Sequence, residues 1–378
     1  MLRGVGTHMA AAMRTQTALL SGCAAANGFA LEATGDLTAS VARGGAGGRS
    51  SVSGVTVAVF GATGFVGRYL VNRLGRMGTQ VLVPYRGDEH DWRHLRLMGD
   101  LGQIVPIPFD PRSPESIREA LVDADMVVNL MGSDFETVNW PYEHVHAHLA
   151  GAVAEQAADV GVEKLVHVSH LCADSGSSSR YFASKAAGEV AVRKAFPSAT
   201  FIKPATIVGE EDKFLNVLGG LAKSIKTIPV VNGGAQVVQP VTVGDTAGAI
   251  VAALDRTDSA GKSYSIVGPD ALTMSQLAHF VFDMVRIEPR LLDLPVAPLA
   301  FAGKYLARLP NTKFSDDTVA RALIDEVVPD GDATLADLNL KATSIEQLAI
   351  RTLRRFRPAA VWNAPIDSHE LEDARLFK

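Results

Sequence analysis

The fold of this chain is decided by residues 55–67, which read VTVAVFGATGFVG. Val55–Phe60 is an unbroken run of apolar and β-branched residues, the pattern of a strand that is covered on both faces of a parallel sheet. Gly61, Gly64 and Gly67 follow this run at once, and the residues after them have a helical pattern. The segment therefore predicts a strand, a glycine-rich turn and a helix, in that order.

This glycine turn has the spacing of a motif that binds the diphosphate of a dinucleotide. Gly61 permits the tight turn, Gly64 lets the backbone approach the diphosphate, and Gly67 lets helix and strand pack closely. Free N–H groups and the dipole at the helix N-terminus then attract the phosphates. The predicted contacts lie in the turn and at the start of the helix: Gly61, Thr63, Gly64, Phe65, Val66, Gly67 and Arg68. The alternative for Arg68 is a solvated helix residue.

The end of the second strand indicates which dinucleotide is bound. This strand is predicted over Gln80–Tyr85, and a protein specific for NAD(H) normally has Asp or Glu at its end to hold the ribose hydroxyls. Here the residue after the strand is Arg86. Because a guanidinium pairs well with a 2′-phosphate, Arg86 favours NADP(H) over NAD(H). NAD(H) stays the alternative, since Asp88 or Glu89 could turn back to the ribose.

Strands and helices continue to alternate after this unit. Strands are predicted over Ile104–Phe109, Asp125–Leu130 and Lys164–Ser169, and a helix that Ser113 caps is predicted over residues 114–124. This alternation is typical of an α/β protein with a doubly wound parallel sheet of the Rossmann type, in which ligands bind beyond the carboxyl ends of the strands. The candidate contacts at these ends are Gly61, Arg86, Asp110, Leu130, Met131, Gly132 and Ser169.

The folded part of the chain is predicted to consist of two parts. Residues 54–205 form the dinucleotide-binding domain, and residues 206–378 form a smaller, mainly helical C-terminal region. Within that region, residues 237–268 return to the sheet, and Val237–Val243 is expected to be one strand.

One apolar segment of the C-terminal region has two interpretations. Leu294–Leu309 contains two prolines, Lys304 and Arg308, so it cannot span a membrane. We predict a buried helix of the C-terminal region. The alternative is a helix that lies on a lipid surface or docks on a partner protein, with its charged residues at the wet boundary.

The composition excludes several classes of protein. Hydrophobic residues make up 47% and charged residues 20% of the 378 positions, which is typical of a folded globular chain. A formal charge of −5 without a long Lys/Arg run gives no support for nucleic-acid binding. Cys23 and Cys172 provide neither a disulfide framework nor a thiol metal site. His144, His146 and His148 are predicted on a surface helix where only the first and last share a face, so no metal site is predicted.

Residues 1–50 differ in kind from the rest of the chain. They contain Arg3, Arg14, Arg43 and Arg49, no lysine and two acidic residues, in a background rich in Ala, Ser, Gly and Thr. This composition is that of an organelle transit peptide, and the arginine content favours the mitochondrion over the plastid. The sequence therefore predicts a mitochondrial transit peptide or disordered leader, with an untargeted tail as the alternative.

Motifs spread along the chain resemble a known family. The glycine turn, Asp110, the strand end at residues 129–132, Ser169 and the segment Tyr181–Lys185 (YFASK) resemble an atypical or extended short-chain dehydrogenase/reductase. More specifically, longer strings within residues 54–360 resemble the nucleotide-binding accessory subunits of mitochondrial respiratory complex I (NADH:ubiquinone oxidoreductase): Phe60–Tyr69, Asn72–Gly78, Met98–Gln103, Gly161–Lys164, His167–Leu171, Ser177–Tyr181 and Phe214–Asn216.

The resemblance implies a subunit of the respiratory chain that has no established turnover of its own. It implies NADPH as a tightly held structural ligand, other complex I subunits as partners, and a peripheral position on the matrix side of the inner membrane. The implied role is support for assembly and stability at the junction of the matrix arm and the membrane arm. Two alternatives stay open: an active NADPH-dependent reductase or epimerase of the matrix, and a nucleotide or redox sensor.

The resemblance also assigns roles to the candidate catalytic side chains. In reductases of the family, the Tyr of a YxxxK pair is the acid/base, the Lys binds the ribose, and a Ser polarises the substrate carbonyl. Tyr181 and Lys185 are one helical turn apart, so both can face one ligand. Ser169 is followed by His170 where many members repeat Ser, which weakens the case for carbonyl polarisation. We expect Tyr181, Lys185 and Ser169 to contact the cofactor without catalysing a reaction.

A strand end further along the chain gives the last two candidates. The segment from Lys203 to Gly209, KPATIVG, looks like the family's strand-to-loop passage beside the nicotinamide. Pro204 limits the backbone there to an extended path. The resemblance implies that Lys203 and Pro204 line the cofactor pocket, and an ordinary strand end is the alternative.

Overall fold

The computed structural model of the chain describes residues 53–306, 314–329 and 331–358. The leader predicted for residues 1–50, together with Cys23, lies outside the described residues. Residues 307–309 of the segment predicted as one helix also lie outside them. The boundary between residues 205 and 206 stays a prediction.

The secondary structure alternates between strands and helices through the sheet-forming part of the chain. The strands are β1 Thr56–Phe60, β2 Gln80–Tyr85, β3 Ile104–Pro108, β4 Met126–Asn129, β5 Lys164–Val168, β6 Thr200–Pro204, β7 Ile207–Val208, β8 Ile228–Val231, β9 Val237–Val238, β10 Val241–Thr242, β11 Ser263–Ile266, β12 Leu272–Thr273 and β13 Leu291–Leu294. The α-helices are α1 Phe65–Arg76, α2 Glu89–Trp92, α3 Pro114–Glu119, α4 Leu149–Val160, α5 Arg180–Ala195, α6 Leu215–Ser224, α7 Val243–Asp255, α8 Met274–Val285, α9 Val296–Leu306, α10 Asp316–Arg321 and α11 Ile345–Leu353.

The central sheet has seven parallel strands in the order β11-β6-β5-β4-β1-β2-β3. β1 pairs with β2 on one side and with β4 on the other, so the strand order reverses at β1. Such a reversal opens a ligand crevice beyond the carboxyl ends of the strands. The predicted fold class, a doubly wound Rossmann-type sheet with a smaller, mainly helical C-terminal region, is confirmed.

Helices cover both faces of this sheet, as its uninterrupted apolar strands require. Successive side chains of β1 point to opposite faces, so Val57 and Val59 pack on one side with α1 and α7. Ala58 and Phe60 pack on the other side with α3, α4 and α5. Each of these four side chains is at most 2% exposed. β1 is therefore the centre of two apolar layers and fixes the position of the turn that follows it.

The C-terminal part of the chain both completes the sheet and builds a core of its own. β11 pairs in parallel with β6 and so becomes the edge strand. A separate apolar cluster lies among α6, α8 and α11, and it includes Leu277, Phe280 and Phe282. Short strand pairs, β7 with β10, β8 with β13 and β9 with β12, connect this helical part to the sheet.

Two predicted elements are wrong in detail. Val237–Val243 is not one strand, because it contains β9 and β10, which belong to different two-stranded sheets. Pro240 lies between them and has no N–H to donate to a continuous ladder. The helix predicted over residues 114–124 begins as expected, with the Ser113 side chain accepting from the N–H of Ser116, but it ends at Glu119. Tight turns follow it, in which the N–H of Leu121 donates to the carbonyl of Arg118.

The prediction of a buried helix in Leu294–Leu309 is also wrong. Within α9, Gly303 is the buried residue, and Phe301 and Tyr305 are 65% and 53% exposed. The reason is that α9 packs on one side against α10, where a Cβ at Gly303 would lie 2.7 Å from the backbone nitrogen of Asp316. Among the described residues, no helix combines the length and the hydropathy that crossing a membrane requires.

Candidate functional site

The glycine turn lies between β1 and α1, where the strand order reverses. Gly61 has a φ of +79°, which favours glycine, and a Cβ there would lie 3.1 Å from the carbonyl carbon of Leu130. A Cβ at Gly67 would lie 2.5 Å from the carbonyl oxygens of Gly61 and Ala62. The helix therefore packs so closely against the turn that a residue with a side chain does not fit at position 67. Gly64 is exposed, which leaves its backbone accessible to a ligand.

The N-terminus of α1 has the features of an anion site. Its N-cap, Gly64, makes no side-chain capping bond, and its first turn contains no acidic residue. The first N–H groups of a helix have no partner within the helix and attract anions. Thr63 and Val66 border this end and are partly exposed. Phe65 instead packs beside Gly209, where a Cβ would lie 2.7 Å from its ring.

Arg68 is engaged by a carboxylate from a distant loop. Its Nη1 lies 2.8 Å from Oε2 of Glu211. The Nε atom of the same guanidinium is buried and has no hydrogen-bond partner among the described residues. The structure therefore places Arg68 beside the open helix end and leaves one of its donors unsatisfied, while its contact with phosphate stays a prediction.

Lys185 of α5 lies next to the backbone that follows β4. A Cβ at Gly132 would lie 3.1 Å from the Nζ atom of Lys185, so the ammonium faces this bare stretch of main chain. Lys185 is 7% exposed. Burial lowers its pKa to about 8, and the nearby carboxylates of Asp134 and Glu189 oppose that shift. The side chain thus offers a largely protonated donor at neutral pH to a ligand that lies over Gly132.

Tyr181 lies one helical turn before Lys185, as its spacing predicts. The Nζ atom of Lys185 is 5.9 Å from the centre of the tyrosine ring. Side chains from several segments approach that ring to between 4.7 and 6.0 Å: Tyr142, His146, His170 and Arg321. Burial raises the pKa of the Tyr181 phenol, with Asp134 as the second cause, so the hydroxyl stays protonated at neutral pH.

The short helix α10 covers this tyrosine from the C-terminal part of the chain. The guanidinium carbon of Arg321 lies 4.7 Å from the centre of the Tyr181 ring, and its Nη2 donates to the carbonyl of Asp134 at 3.1 Å. On the same helix, Oδ1 of Asp317 accepts from the N–H of Arg180 at 2.6 Å and from the hydroxyl of Ser179 at 3.0 Å. α10 is therefore held against the start of α5.

Ser169 lies at the carboxyl end of β5, but its hydroxyl is directed to a carboxylate. Its Oγ donates to Oε1 of Glu189 at 2.6 Å, and Oε2 of Glu189 lies 2.8 Å from Nζ of Lys203. Ser169 and Glu189 are 5% and 6% exposed. The structure thus joins two predicted cofactor residues through Glu189, which the sequence analysis missed. A signal exists, because Glu189 follows Lys185 by one helical turn.

The prediction that the histidines after β4 lie on a surface helix is wrong for His146, whereas His148 is exposed and His144 partly so. Residues 144–148 form a π-helical turn that directs His146 inward, where it is 2% exposed. Its Nε2 accepts from the N–H of Ser133 at 3.1 Å, so Nδ1 carries the proton and donates to Ser184 Oγ at 2.8 Å. That hydroxyl donates to the carbonyl of Tyr181 at 2.7 Å. Burial lowers the pKa of His146 to about 2, and the neutral ring ties the loop after β4 to α5.

The residues that follow β2 and β3 meet at one indole. Arg86 is exposed, and its guanidinium carbon lies 5.3 Å from the centre of the Trp140 ring. Asp110 accepts a hydrogen bond from the N–H of Arg112 at 3.0 Å, and the Arg112 guanidinium carbon lies 5.0 Å from the same indole. Trp140 and Arg112 were missed, because no local pattern connects the loops after β2, β3 and β4.

Main-chain hydrogen bonds fix the backbone of the remaining residues that were predicted to contact the cofactor. The N–H of Leu130 donates to the carbonyl of Phe60 at 2.9 Å, and that of Met131 donates to Oδ1 of Asn129 at 3.0 Å. Pro204 is buried at the end of β6, and its carbonyl accepts from the N–H of Leu171 at 2.9 Å. Among the residues that the structure describes, no three potential metal ligands come together.

The Rossmann-type sheet and the glycine turn are typical of proteins with a dinucleotide-binding fold, and the sequence agrees with that class. Residues 57–267 match the NAD dependent epimerase/dehydratase family, to which the chain belongs. A solved dTDP-glucose 4,6-dehydratase of Streptomyces venezuelae has a similar structure, with a TM-score of 0.60 over 82% of this chain and 98% of the other. At 18% identity, that similarity shows the fold alone.

Curated relatives define a narrower group. The chain is 43% identical over 328 residues to NADH dehydrogenase (ubiquinone) 1 alpha subcomplex subunit 9, mitochondrial, of Arabidopsis thaliana, across 84% of this chain and 82% of the relative. It is 42% identical over 315 residues to the protein of the same name from Mus musculus, across 83% of each. Identity at this level over most of both chains places the chain within this alpha subcomplex subunit 9 group.

Proposed function

We propose that this chain is an accessory subunit of mitochondrial respiratory complex I that holds NADPH as a structural ligand and has no turnover of its own. Membership of the complex is supported by the relatives, whose names describe mitochondrial NADH dehydrogenase subunits. One observation carries the rest of the proposal: the helix end at the glycine turn has no side-chain cap, whereas the Ser169 hydroxyl is hydrogen-bonded to Glu189 and the Tyr181 ring is covered by Arg321.

The residues at the glycine turn fit a dinucleotide. Gly61 and Gly67 occupy positions where a Cβ would meet backbone atoms, and the helix end beside them has no side-chain cap. The diphosphate would lie on these N–H groups, Lys185 would hold the ribose nearest the nicotinamide, and Arg86 would pair with the 2′-phosphate. Bound NADPH supplies a hydride that can be transferred. The residues of this chain bind and orient the nucleotide.

Three features oppose turnover on the other side of the crevice. The hydroxyl of Ser169 is committed to Glu189, so it is not free to polarise a substrate carbonyl. His170 stands at the next position, and its Nδ1 accepts from the N–H of Cys172 at 3.1 Å. Arg321 covers the Tyr181 ring, whose phenol has a raised pKa. An acid/base tyrosine needs access to substrate and a pKa near the working pH.

A tightly held nucleotide can stabilise a protein without any reaction. A ligand that binds only the folded state adds about 4 kcal/mol at a thousandfold excess over its dissociation constant. Its phosphates would also neutralise the helix end and the guanidinium at the carboxyl edge of the sheet. The proposed role is therefore to support assembly and stability of the complex at the junction of the matrix arm and the membrane arm.

The proposed position is peripheral, on the matrix side of the inner membrane, with import directed by the leader. The exposed rings of Phe301 and Tyr305 lie 4.7 Å apart on α9, and Lys304 is exposed beside them. An apolar pair with an adjacent cation is typical of a helix that meets a partner subunit or a lipid headgroup region. We propose α9 as the part of this chain that makes such a contact.

The experiment that tests the proposal is identification of the nucleotide in the native particle. Complex I is purified without denaturation, this subunit is quantified, and the nucleotide released by acid-free denaturation is measured by mass spectrometry. We expect about one NADPH for each copy of this chain, since a structural ligand is retained through purification. A particle that is intact and contains no adenine dinucleotide beyond that of its other subunits contradicts the proposal.

A second experiment separates the proposal from its two alternatives. The reductase alternative is favoured by the one-turn spacing of Tyr181 and Lys185, and it requires hydride transfer from NADPH that Tyr181→Phe abolishes. The sensor alternative requires binding to partner subunits that differs between NADPH and NADP⁺. We expect neither result: NADPH stays unoxidised in the purified subunit with carbonyl test compounds, and assembly is the same with either redox form.

A further inference from the structure

The loops after β2, β3 and β4 meet at a single indole. Arg86 follows β2, Arg112 lies in the loop after β3, and Trp140 lies in the loop after β4. Both guanidinium carbons approach the centre of the Trp140 ring, at 5.3 Å and 5.0 Å. β2 and β3 are neighbours in the parallel sheet, and only β1 separates β2 from β4, so the three loops share the carboxyl edge at which a nucleotide would bind.

Backbone hydrogen bonds fix the loops that carry these side chains. In the loop after β3, the N–H of Asp110 donates to Ser116 Oγ at 3.0 Å, and Asp110 Oδ1 accepts from the N–H of Arg112 at 3.0 Å. Thr137 and Trp140 exchange two backbone bonds of 3.2 Å and 3.1 Å. The backbone positions of Trp140 and Arg112 are therefore set by the protein before any ligand binds.

Within the described part of the chain, neither guanidinium group has a carboxylate partner. No ion pair found among the described residues includes Arg86 or Arg112. Since the guanidinium carbons lie 5.3 Å and 5.0 Å from one ring centre, they are at most about 10 Å apart, a separation at which salt of about 0.1 M screens their repulsion only in part. A cation–π contact at an exposed site contributes only about 0.5–1 kcal/mol. Two like charges gathered on one indole indicate an anion as the missing partner.

We propose that Arg112 is a second determinant of the 2′-phosphate and that Trp140 positions it together with Arg86. This inference rests on the proposed function, because it names how the same site selects NADPH. A phosphate monoester carries close to two negative charges and accepts forked hydrogen bonds from guanidinium groups. The two arginines, which contact a common ring, would approach the negative charges of the phosphate from the loops after β2 and β3. The sequence gives Arg112 no signal of its own, since it lies two residues beyond Asp110 in an ordinary turn.

The test compares the affinities for NADPH and NADH in the full-length chain. In Arg112→Met, the affinity for NADPH is expected to fall about tenfold and that for NADH to stay within twofold, because only NADPH carries the 2′-phosphate. Arg118→Met is the matched control, since Arg118 is an exposed arginine of α3, the helix that follows the same loop. The control is expected to change neither affinity by more than twofold.

Substitution of the indole tests the positioning role. Trp140→Leu removes the ring that both guanidinium groups contact, and we expect a loss of about threefold to fivefold in NADPH affinity with little change for NADH. Trp140→Phe keeps an aromatic face and is expected to retain most of the preference. Retained NADH binding and an unchanged thermal midpoint show that each variant is folded.

The outcomes separate this inference from the proposal on which it rests. If the unaltered chain prefers NADPH and Arg112→Met keeps that preference, the role of Arg112 is overturned and the proposed function stands. An equal loss for both nucleotides also overturns it, because such a loss does not come from the 2′-phosphate. If the unaltered chain binds NADPH no better than NADH, the proposed choice of cofactor fails, and the role of Arg112 fails with it.

Discussion

The two sides of the crevice are built on the same parallel strands but differ in what their polar groups contact. On the nucleotide side, formed by the glycine turn with Arg86 and Arg112, the N-terminus of α1 has no side-chain cap, and no ion pair among the described residues includes either of these two arginines. On the tyrosine side, formed by Ser169, Tyr181 and their neighbours, Glu189 and α10 engage the polar groups.

Under the proposed function, this difference means that the fold keeps its nucleotide-binding side and uses its reactive side for structure. Open donors cost stability unless water or a ligand satisfies them, so the nucleotide side is completed by something outside the chain. The tyrosine side is completed from within, since a buried carboxylate, a lysine and a hydroxyl satisfy one another. Variants on the nucleotide side are therefore expected to lower the affinity for the nucleotide, and variants on the tyrosine side are expected to lower the free energy of unfolding.

The largest effect is expected from Gly67→Val on the nucleotide side. A Cβ at this position would lie 2.5 Å from two carbonyl oxygens, so α1 must move away from the turn. We expect a loss of about 3 kcal/mol or more in the free energy of unfolding, together with loss of nucleotide binding. Thermal unfolding and NADPH titration measure both.

Gly220→Ala is the matched control for that variant, because its nearest neighbour atom would lie 4.0 Å from the new Cβ. It is expected to be neutral or to stabilise α6 by up to about 1 kcal/mol. An unchanged thermal midpoint in Gly67→Val would show that the turn is not as tightly packed as described.

A loss of stability no larger than that of Gly67→Val is expected from Glu189→Gln on the tyrosine side. The amide can still accept from Ser169, but Lys203 loses its charge partner in a mostly buried place. We expect a loss of about 3 kcal/mol in the free energy of unfolding. The affinity for NADPH is expected to fall only to the extent that less of the protein is folded. Chemical denaturation and nucleotide titration give the two values.

Glu155→Gln provides the comparison for Glu189→Gln, since Glu155 is exposed on α4. This change is expected to stay within about 0.5 kcal/mol. A variant Glu189→Gln that keeps its stability and loses NADPH affinity would assign the carboxylate to the nucleotide side.

The pH dependence of binding tests Lys185, which lies between the two sides. Its pKa is lowered to about 8 by burial, so the free protein loses this proton as the pH rises above 8. A bound polyanion favours the charged form and retains the proton, so NADPH affinity should fall above pH 8 by at most about tenfold per pH unit. Isothermal titration between pH 7 and pH 9.5 measures the slope, and Lys185→Met should remove it. A slope that persists in Lys185→Met belongs to another group.

The smallest effect is expected from Tyr181→Phe. Most of the contacts of Tyr181 are made by its ring, which the substitution keeps, and Arg321 can still lie over it. We expect the free energy of unfolding to change by less than about 1 kcal/mol and NADPH affinity to stay within twofold. Denaturation curves and titration measure both, and a specific loss of hydride transfer in this variant would identify an enzyme.

The nucleotide side was largely predictable because its signals are local. The run before Gly61, the three glycines and Arg86 lie within neighbouring elements, and each strand ends within a residue or two of its prediction. The contacts of the tyrosine side could not be predicted from the sequence, because they join distant segments. Arg321 reaches Tyr181 across 140 positions of sequence, and Glu189 meets Lys203 from another element. Periodicity predicts which face is buried but not which distant side chain lies on it.

The edge strand β11 has a consequence for how this protein folds. The sheet is finished only when Ser263–Ile266 pairs with β6, and that strand is in turn shielded where the N–H of Ser265 donates to the carbonyl of Ala333 at 2.7 Å. During folding the edge of β6 therefore stays unpaired until Ser263–Ile266 has joined the sheet. An unpaired edge can pair with other chains, so we expect partly folded forms that lack β11 in the sheet to aggregate more readily than the complete fold.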